Sequence, residues 1–274
     1  MKIIHISDLQ YQASSRKDEI HKFIQKIINH YSETSEKPLI IYTGDLVEDA
    51  LKSEMTAHRA QLQELVDAGF EMLICPGNHD QKKNGFNVRF TDANLTMFSN
   101  IFSDLLPQGK HYYSEDNNNL LRWPLVHQYG SYYFIGLDSN EGMHNNYSAC
   151  GKIERRQRYA LKKAIKEIRK KDSNAVIVVY LHHEPFEYTI NTGVPGPWDY
   201  QFMKLKKREK LLRILKGRVN VLLFGHNHNF DRKTSQEQKW KIDLILRNAG
   251  AIMNVSDHKF VEIDLANGFE LKHI

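Results

Sequence analysis

Apolar runs at residues 2–6, 38–42, 72–75, 175–181 and 219–224 read as buried strands, and each gives way at once to polar residues. Between the first two, Ile20, Phe23, Ile24, Ile27, Ile28 and Tyr31 recur at helical spacing. After the second, Leu62, Leu65 and Val66 mark another amphipathic helix, ended by Gly69. This alternation is the βαβ rhythm of a layered α/β fold. It breaks over residues 84–133, an irregular aromatic stretch with Phe86, Phe90, Phe98, Phe102, Tyr112, Tyr113 and Trp123. A helix is predicted there over 95–105, followed by strands on either side of a turn at 116–119.

The strand 132–137 then leads to Asp138-Ser139-Asn140, and a basic helix is predicted over 153–171 with its Lys and Arg face in solvent. A loop rich in Pro, Gly and aromatics spans 184–202, and a helix runs to about residue 215. The apolar tail segments 242–246, 260–263 and 269–271 read as antiparallel strands closing a sheet. No repeat, low-complexity tract or linker interrupts the chain. The predicted organisation is therefore one domain over 1–274, with 84–133 and 184–203 as cap or rim insertions beside the strand ends.

The polar clusters at the ends of the strands carry the chemistry. Asp8-Leu9-Gln10, Gly44-Asp45, Gly77-Asn78-His79-Asp80, His182-His183 and Gly225-His226-Asn227-His228 each stand directly after a separate predicted strand. Parallel strands would empty these clusters into one crevice. Carboxylate and amide oxygens and imidazole nitrogens are the donors for hard and borderline divalent ions, so the set points to a polynuclear metal site. The Ser and Cys residues form no nucleophile motif, and there is neither a Walker loop nor a dinucleotide glycine fingerprint.

Composition removes several other classes. Of 274 residues 41% are hydrophobic and 26% charged, and no apolar run approaches the roughly 20 residues that span a bilayer. The amino terminus enters a strand at once and shows no secretory signal, so a cytoplasmic location is expected. Cys75 and Cys150 are too few for a disulfide framework and are not spaced as a zinc ribbon. A net charge of +5 permits anionic substrates without itself calling for nucleic acid.

In this order the clusters resemble those of the calcineurin-like metallophosphoesterases, which include purple acid phosphatases, cyclic-nucleotide phosphodiesterases and some nucleases. The resemblance runs over residues 3–251, and Gly77-Asn78-His79-Asp80 with Gly225-His226-Asn227-His228 is its most specific pair. It implies a four-layer α/β/β/α sandwich, two facing mixed sheets with a dinuclear metal site at the strand ends. Position by position, it implies that Asp8 and His228 hold a first ion and that Asp45 bridges to a second held by Asn78, His182 and His226. His182, the first of its pair, is preferred over His183. His79 would be the proton donor, and Glu48 the acidic partner that orients its imidazole and favours the charged form. Two divalent ions, from manganese, iron, zinc or nickel, would neutralise phosphoryl oxygens and supply a bridging hydroxide as nucleophile.

Gln10 departs from the pattern, because relatives usually place His there. An amide oxygen is a weaker donor than an imidazole nitrogen, which lowers first-site affinity and shifts metal preference. Gln10 either binds through its oxygen, orients a water that binds, or leaves the first site partly filled. The chain's size, the Gly136-Leu137-Asp138-Ser139 block and the helix after Gly151-Lys152-Ile153 are most similar to the compact bacterial phosphodiesterase branch. That resemblance implies a small-molecule phosphoester substrate, mono- or diester. Trp198 and Tyr188, in the rim loop after His183, are the candidate substrate contacts, and Arg89 and Arg122 are candidates to meet a second phosphate. Two other readings are a metal-binding scaffold with weakened catalysis, motivated by Gln10, and a nucleic-acid phosphodiesterase, motivated by the basic helix. The latter is the less favoured, since such nucleases carry further domains for which this chain has little room.

Overall fold

A computed structural model of the protein describes residues 1–81, 92–105, 110–111, 123–140, 149–186, 204–228, 230–247 and 260–273. The first sheet joins β1 (Lys2–Ile6), β2 (Leu39–Tyr42), β3 (Met72–Ile74), β13 (Val261–Asp264) and β14 (Glu270–His273) in the order β14-β13-β1-β2-β3. The second joins β4 (Lys110–His111), β5 (Leu125–Tyr129), β6 (Tyr132–Gly136), β8 (Val176–Tyr180), β10 (Val221–Phe224), β11 (Asp231–Arg232) and β12 (Leu244–Arg247) in the order β11-β12-β10-β8-β6-β5-β4. Between β6 and β10 lie β7 (Gly151–Lys152) and β9 (Leu205–Lys206), a short parallel pair. The helices are α1 (Lys17–His30), α2 (Lys52–Asp67), α3 (Asp92–Ile101), α4 (Arg155–Lys171), α5 (Arg208–Leu215) and α6 (Thr234–Trp240).

The period of two in the strands sorts the core into layers. Phe134, Val178, Tyr180, Val221, Leu223, Leu244 and Leu246 pack with the first sheet and with α1 and α2 in one cluster. Their neighbours Tyr133, Ile135, Ile177, Val179, Leu222, Phe224 and Ile245 point the other way, into a second cluster with α4 and α5. The two sheets therefore face each other between helical layers, the four-layer α/β/β/α sandwich. Each fully buried Ile, Leu or Phe in it contributes about 2 kcal/mol. On α4 the residues Arg155, Arg156, Lys162, Lys163, Lys166, Lys170 and Lys171 are exposed, the solvated basic face.

Register decides what meets at the strand ends. Ile6 lies opposite Tyr42 and Tyr42 opposite Ile74 in the parallel centre of the first sheet. Gly136 lies opposite Tyr180, and Tyr180 opposite Leu223, in that of the second. Both parallel centres thus end level, and the loops that leave them emerge side by side.

The tail differs from its predicted form. β12 pairs parallel with β10 and antiparallel only with β11, while in the other sheet β13 runs antiparallel on β1 and β14 antiparallel on β13. The apolar pattern marks a strand but not its neighbour, and α6 supplies the crossover that makes β12 parallel. The pattern does not predict that helix, because only Trp240 of its seven residues is buried, too little to show a period. Helix α3 ends at Ile101 with a single 3₁₀ turn at Ser103–Leu105, inside the predicted 95–105. The turn at 116–119 and most of the cap and rim segments lie outside the described residues. Among the described residues no helix is long and apolar enough to cross a membrane.

Candidate metal centre

The loops that leave β1, β2 and β10 hold their residues in a costly backbone. Asp8, Gln10, Asp45, His226 and His228 have φ of 55°, 46°, 53°, 77° and 45°. The left-handed region costs a non-glycine residue about 1–2 kcal/mol, and it persists only where surroundings enforce it. Here the loops brace one another: the main-chain N–H groups of Asp8, Gln10 and Tyr11 donate to Gly44, Asp45 and Leu46 carbonyls at 3.0, 2.9 and 2.8 Å. Gly44, at φ 85°, also needs its missing Cβ, which would stand 2.7 Å from the Gly77 nitrogen. A Cβ on Gly225 would overlap Ser7 Oγ and Asp8 Oδ2. The sequence places glycine where two of these loops touch.

The side chains converge on Asp45. One group, Asp45, His182 and His226, and another, Asp8, Asp45 and His228, each bring donor atoms within 4.8 Å of one another, and Asp45 belongs to both. His182 Nε2 lies 3.2 Å from Asp45 Oδ2, 3.0 Å from Asn78 Oδ1 and 3.1 Å from His226 Nδ1. His182 Nδ1–H donates to the Thr43 carbonyl at 2.9 Å, which turns the Nε2 lone pair toward the other donors. His228 Nε2 lies 3.5 Å from Asp8 Oδ1, and His226 N–H donates to the Asp8 carboxylate at 3.1 Å.

This crowd of lone pairs fits divalent cations. His226 Nε2 is buried with no hydrogen-bond partner among the described residues. The charges respond to one another in the same sense. Burial pushes Asp45 up, but His182, His79 and His226 outweigh it and hold its carboxyl below the usual carboxylate range. Burial pulls His182 down, but Asp45 beside it leaves it raised overall. His226, buried and next to His182, is driven well down. Burial also lowers His228, yet its hydrogen bond to Asp8 leaves it raised. The buried carboxylates draw positive charge into the centre, the charge that a divalent ion would supply.

His183 does not join the group. Its Nδ1 pairs with Ser139 Oγ at 2.7 Å and its Nε2 with the Ala149 carbonyl at 3.0 Å, so both ring nitrogens are used. Ser139 belongs to the Asp138-Ser139-Asn140 loop after β6, whose Asn140 Nδ2 also donates to the Pro76 and Gly77 carbonyls at 3.2 Å each. That loop braces the segment that leads into Asn78.

His79 lies beside the centre: its N–H donates to Asp45 Oδ1 at 2.9 Å. Its partner differs in kind from the expected one. His79 Nδ1 is 2.7 Å from the Glu48 main-chain carbonyl, whereas the Glu48 carboxylate is 3.9 Å away. Position 48 therefore orients His79 chiefly through its backbone. Gln10 is buried, and its Oε1 accepts from Arg16 Nη1 at 3.0 Å. Trp198, Tyr188, Arg89 and Arg122 lie outside the described residues.

Asp80 has no role that residue type and spacing reveal, and the structure gives it one. Its Oδ1 accepts the main-chain N–H groups of Leu46 and Val47 at 2.8 and 3.1 Å, and its Oδ2 that of Gly77 at 2.8 Å. It thus ties the Asp45 loop to the Asn78 loop, while burial and Asp45 raise its carboxyl. In Asp80→Asn the amide nitrogen would face one of these N–H donors. That substitution is expected to cost about 2 kcal/mol in urea unfolding of the metal-free protein, and an unchanged midpoint would refute the tie.

A sequence model of the calcineurin-like phosphoesterase family matches residues 1–230. The chain is 34% identical over 99 residues to a probable cyclic nucleotide phosphodiesterase of Vesicomyosocius okutanii subsp. Calyptogena okutanii (strain HA), a stretch covering 36% of each protein. Among solved structures it is similar to a purple acid phosphatase of yellow lupin (Lupinus luteus), with a TM-score of 0.59, 14% identity, all of this chain and 51% of that one. It is also similar to the NAD nucleotidase of Haemophilus influenzae, with a TM-score of 0.52, 12% identity, all of this chain and 55% of that one. The matches thus span about a third of the curated relative and about half of each solved structure. At such identities the structures speak for the fold, and the family match covers most of the sequence. The chain belongs to the calcineurin-like phosphoesterase family.

Proposed function

We propose that the protein is a metal-dependent hydrolase of small-molecule phosphoesters, a phosphodiesterase or phosphatase. The observation that carries this is Asp45, one carboxylate shared by two converging ligand groups. In this reading Asp8, Gln10, Asp45 and His228 hold the first ion, and Asp45, Asn78, His182 and His226 the second. The two ions, drawn from manganese, iron, zinc or nickel, would supply charge neutralisation for the phosphoryl oxygens and activation of the attacking water.

The chain's own residues do the rest. The left-handed loops fix the donors before any ion arrives, so little reorganisation opposes binding. His79, tied at Nδ1 to the Glu48 carbonyl, keeps Nε2 for the leaving-group oxygen and delivers the proton there. Its side chain is 25% exposed, open to a substrate, while Asp45 and His182 are buried. The carboxylate of Glu48 stands 3.9 Å from the ring, on the same side as that carbonyl's Nδ1 contact. Trp198 and Tyr188 are the proposed substrate contacts. Cys75 and Cys150, both free and buried, fit a cytoplasmic protein.

The test is a substrate panel, with p-nitrophenyl phosphate, bis(p-nitrophenyl) phosphate and cyclic and linear nucleotides assayed in each of the four metals. Hydrolysis that requires metal and is lost in Asn78→Ala is expected. Equal turnover by wild type and Asn78→Ala across the panel would reject the proposal.

A further inference from the structure

The first ion's ligands are not equivalent to the second's. His182 and His226 are 0% and 2% exposed, whereas His228 is 34% exposed. Gln10 adds a second asymmetry, because a cation already holds its oxygen. Arg16 Nη1 lies 3.0 Å from Gln10 Oε1, 3.3 Å from the Gln10 carbonyl and 3.4 Å from Glu48 Oε2. An arginine stays charged at any relevant pH. An amide oxygen has two lone pairs, and here one is spent on the guanidinium. Any ion that uses Gln10 therefore shares a single oxygen with a fixed positive charge in a largely buried place.

Two effects of Arg16 oppose each other. It fixes the amide so that the oxygen, not the NH₂ group, has a defined direction, which favours binding. It also repels a divalent ion over a few ångströms, and at an effective dielectric near 20 this repulsion outweighs the orientation of one amide. Glu48 offsets part of that charge at the same Nη1.

We propose that Arg16 sets the affinity of the first site, keeping the first ion weakly held and exchangeable while the second stays tight. The inference rests on the two-ion reading above. It makes Gln10 and Arg16 one unit, in which the guanidinium and not only the missing imidazole weakens the site. Arg16 is thus a positioning and tuning residue that acts on the ion through Gln10.

Titration of the metal-free protein with Mn²⁺, followed by calorimetry and by electron paramagnetic resonance of the free ion, tests this without any turnover. Wild type is expected to bind two ions of unequal affinity. Arg16→Met should tighten the weaker by about tenfold or more and change the stronger less than about twofold. Arg16→Lys, which keeps the charge, should stay near wild type. Glu48→Gln leaves Arg16 and Gln10 in place and should weaken the first ion, a readout that survives if Arg16→Met fails to fold. Weaker or unchanged first-ion binding in folded Arg16→Met, or tighter binding in Glu48→Gln, would overturn the tuning role alone. A wild-type protein that bound no ion would instead overturn the two-ion reading and this inference with it.

Discussion

Asp45→Asn is expected to strip both ions from the protein and to cut phosphoester hydrolysis on the order of a thousandfold, since the ions supply several kcal/mol of transition-state stabilisation. The substitution keeps the shape of the side chain and can keep the acceptor that the His79 N–H uses at 2.9 Å. What it removes is the one carboxylate common to both ligand groups. Asn78→Ala, by contrast, touches the second group alone and should leave the first ion in place. Elemental analysis beside kcat separates the cases. If Asp45→Asn still carried two ions, or kept as much metal as Asn78→Ala, Asp45 would not be the shared ligand.

The ligand clusters are legible in the sequence because each is local: a strand reads from its apolar run, and Asp45 or Asn78 stands within a few residues of its end. The second half of the centre is legible only by position, as His182 and His183 show. Neighbours at a strand end point to opposite sides, and which one faces inward depends on Ser139 and the Ala149 carbonyl, which occupy both nitrogens of His183. Asp80 is hidden for a related reason. Its acceptors serve N–H groups 33 and 34 residues away, and no spacing rule announces that two loops will meet. Glu48 shows a subtler loss, since the carbonyl that holds His79 belongs to the backbone and leaves no mark in residue type. Arg16 reads as an ordinary start of helix α1 until the fold sets it against Gln10.

Acid should destabilise the metal-free protein steeply, through two histidines that take no part in the centre. His5 on β1 and His58 on α2 are fully buried; His5 meets Thr43 Oγ1 at 2.9 Å, and His58 stacks on Tyr11 at 5.3 Å. Burial lowers each to about 3 from an ordinary 6.5. The unfolded chain therefore takes up these protons near pH 6.5 while the folded chain refuses them. Their contribution is intact above about 6.5 and is lost as pH falls toward 3, by about 1.4 kcal/mol per pH unit for each ring. Between pH 6.5 and 4.5 the pair should cost about 4 kcal/mol, much of a total that for most domains is only about 5–15 kcal/mol. His58→Phe retains the ring packing against Tyr11 and Tyr42 and removes one titration. In urea unfolding with a chelator present, the difference between wild type and His58→Phe cancels the ligand histidines, which titrate alike in both. The gap between the two proteins should change by about 2 kcal/mol over that range in favour of the variant. Parallel stability curves would show that His58 takes up its proton alike in the folded and unfolded chains, and the acid sensitivity would then have to come from His5 or from the centre.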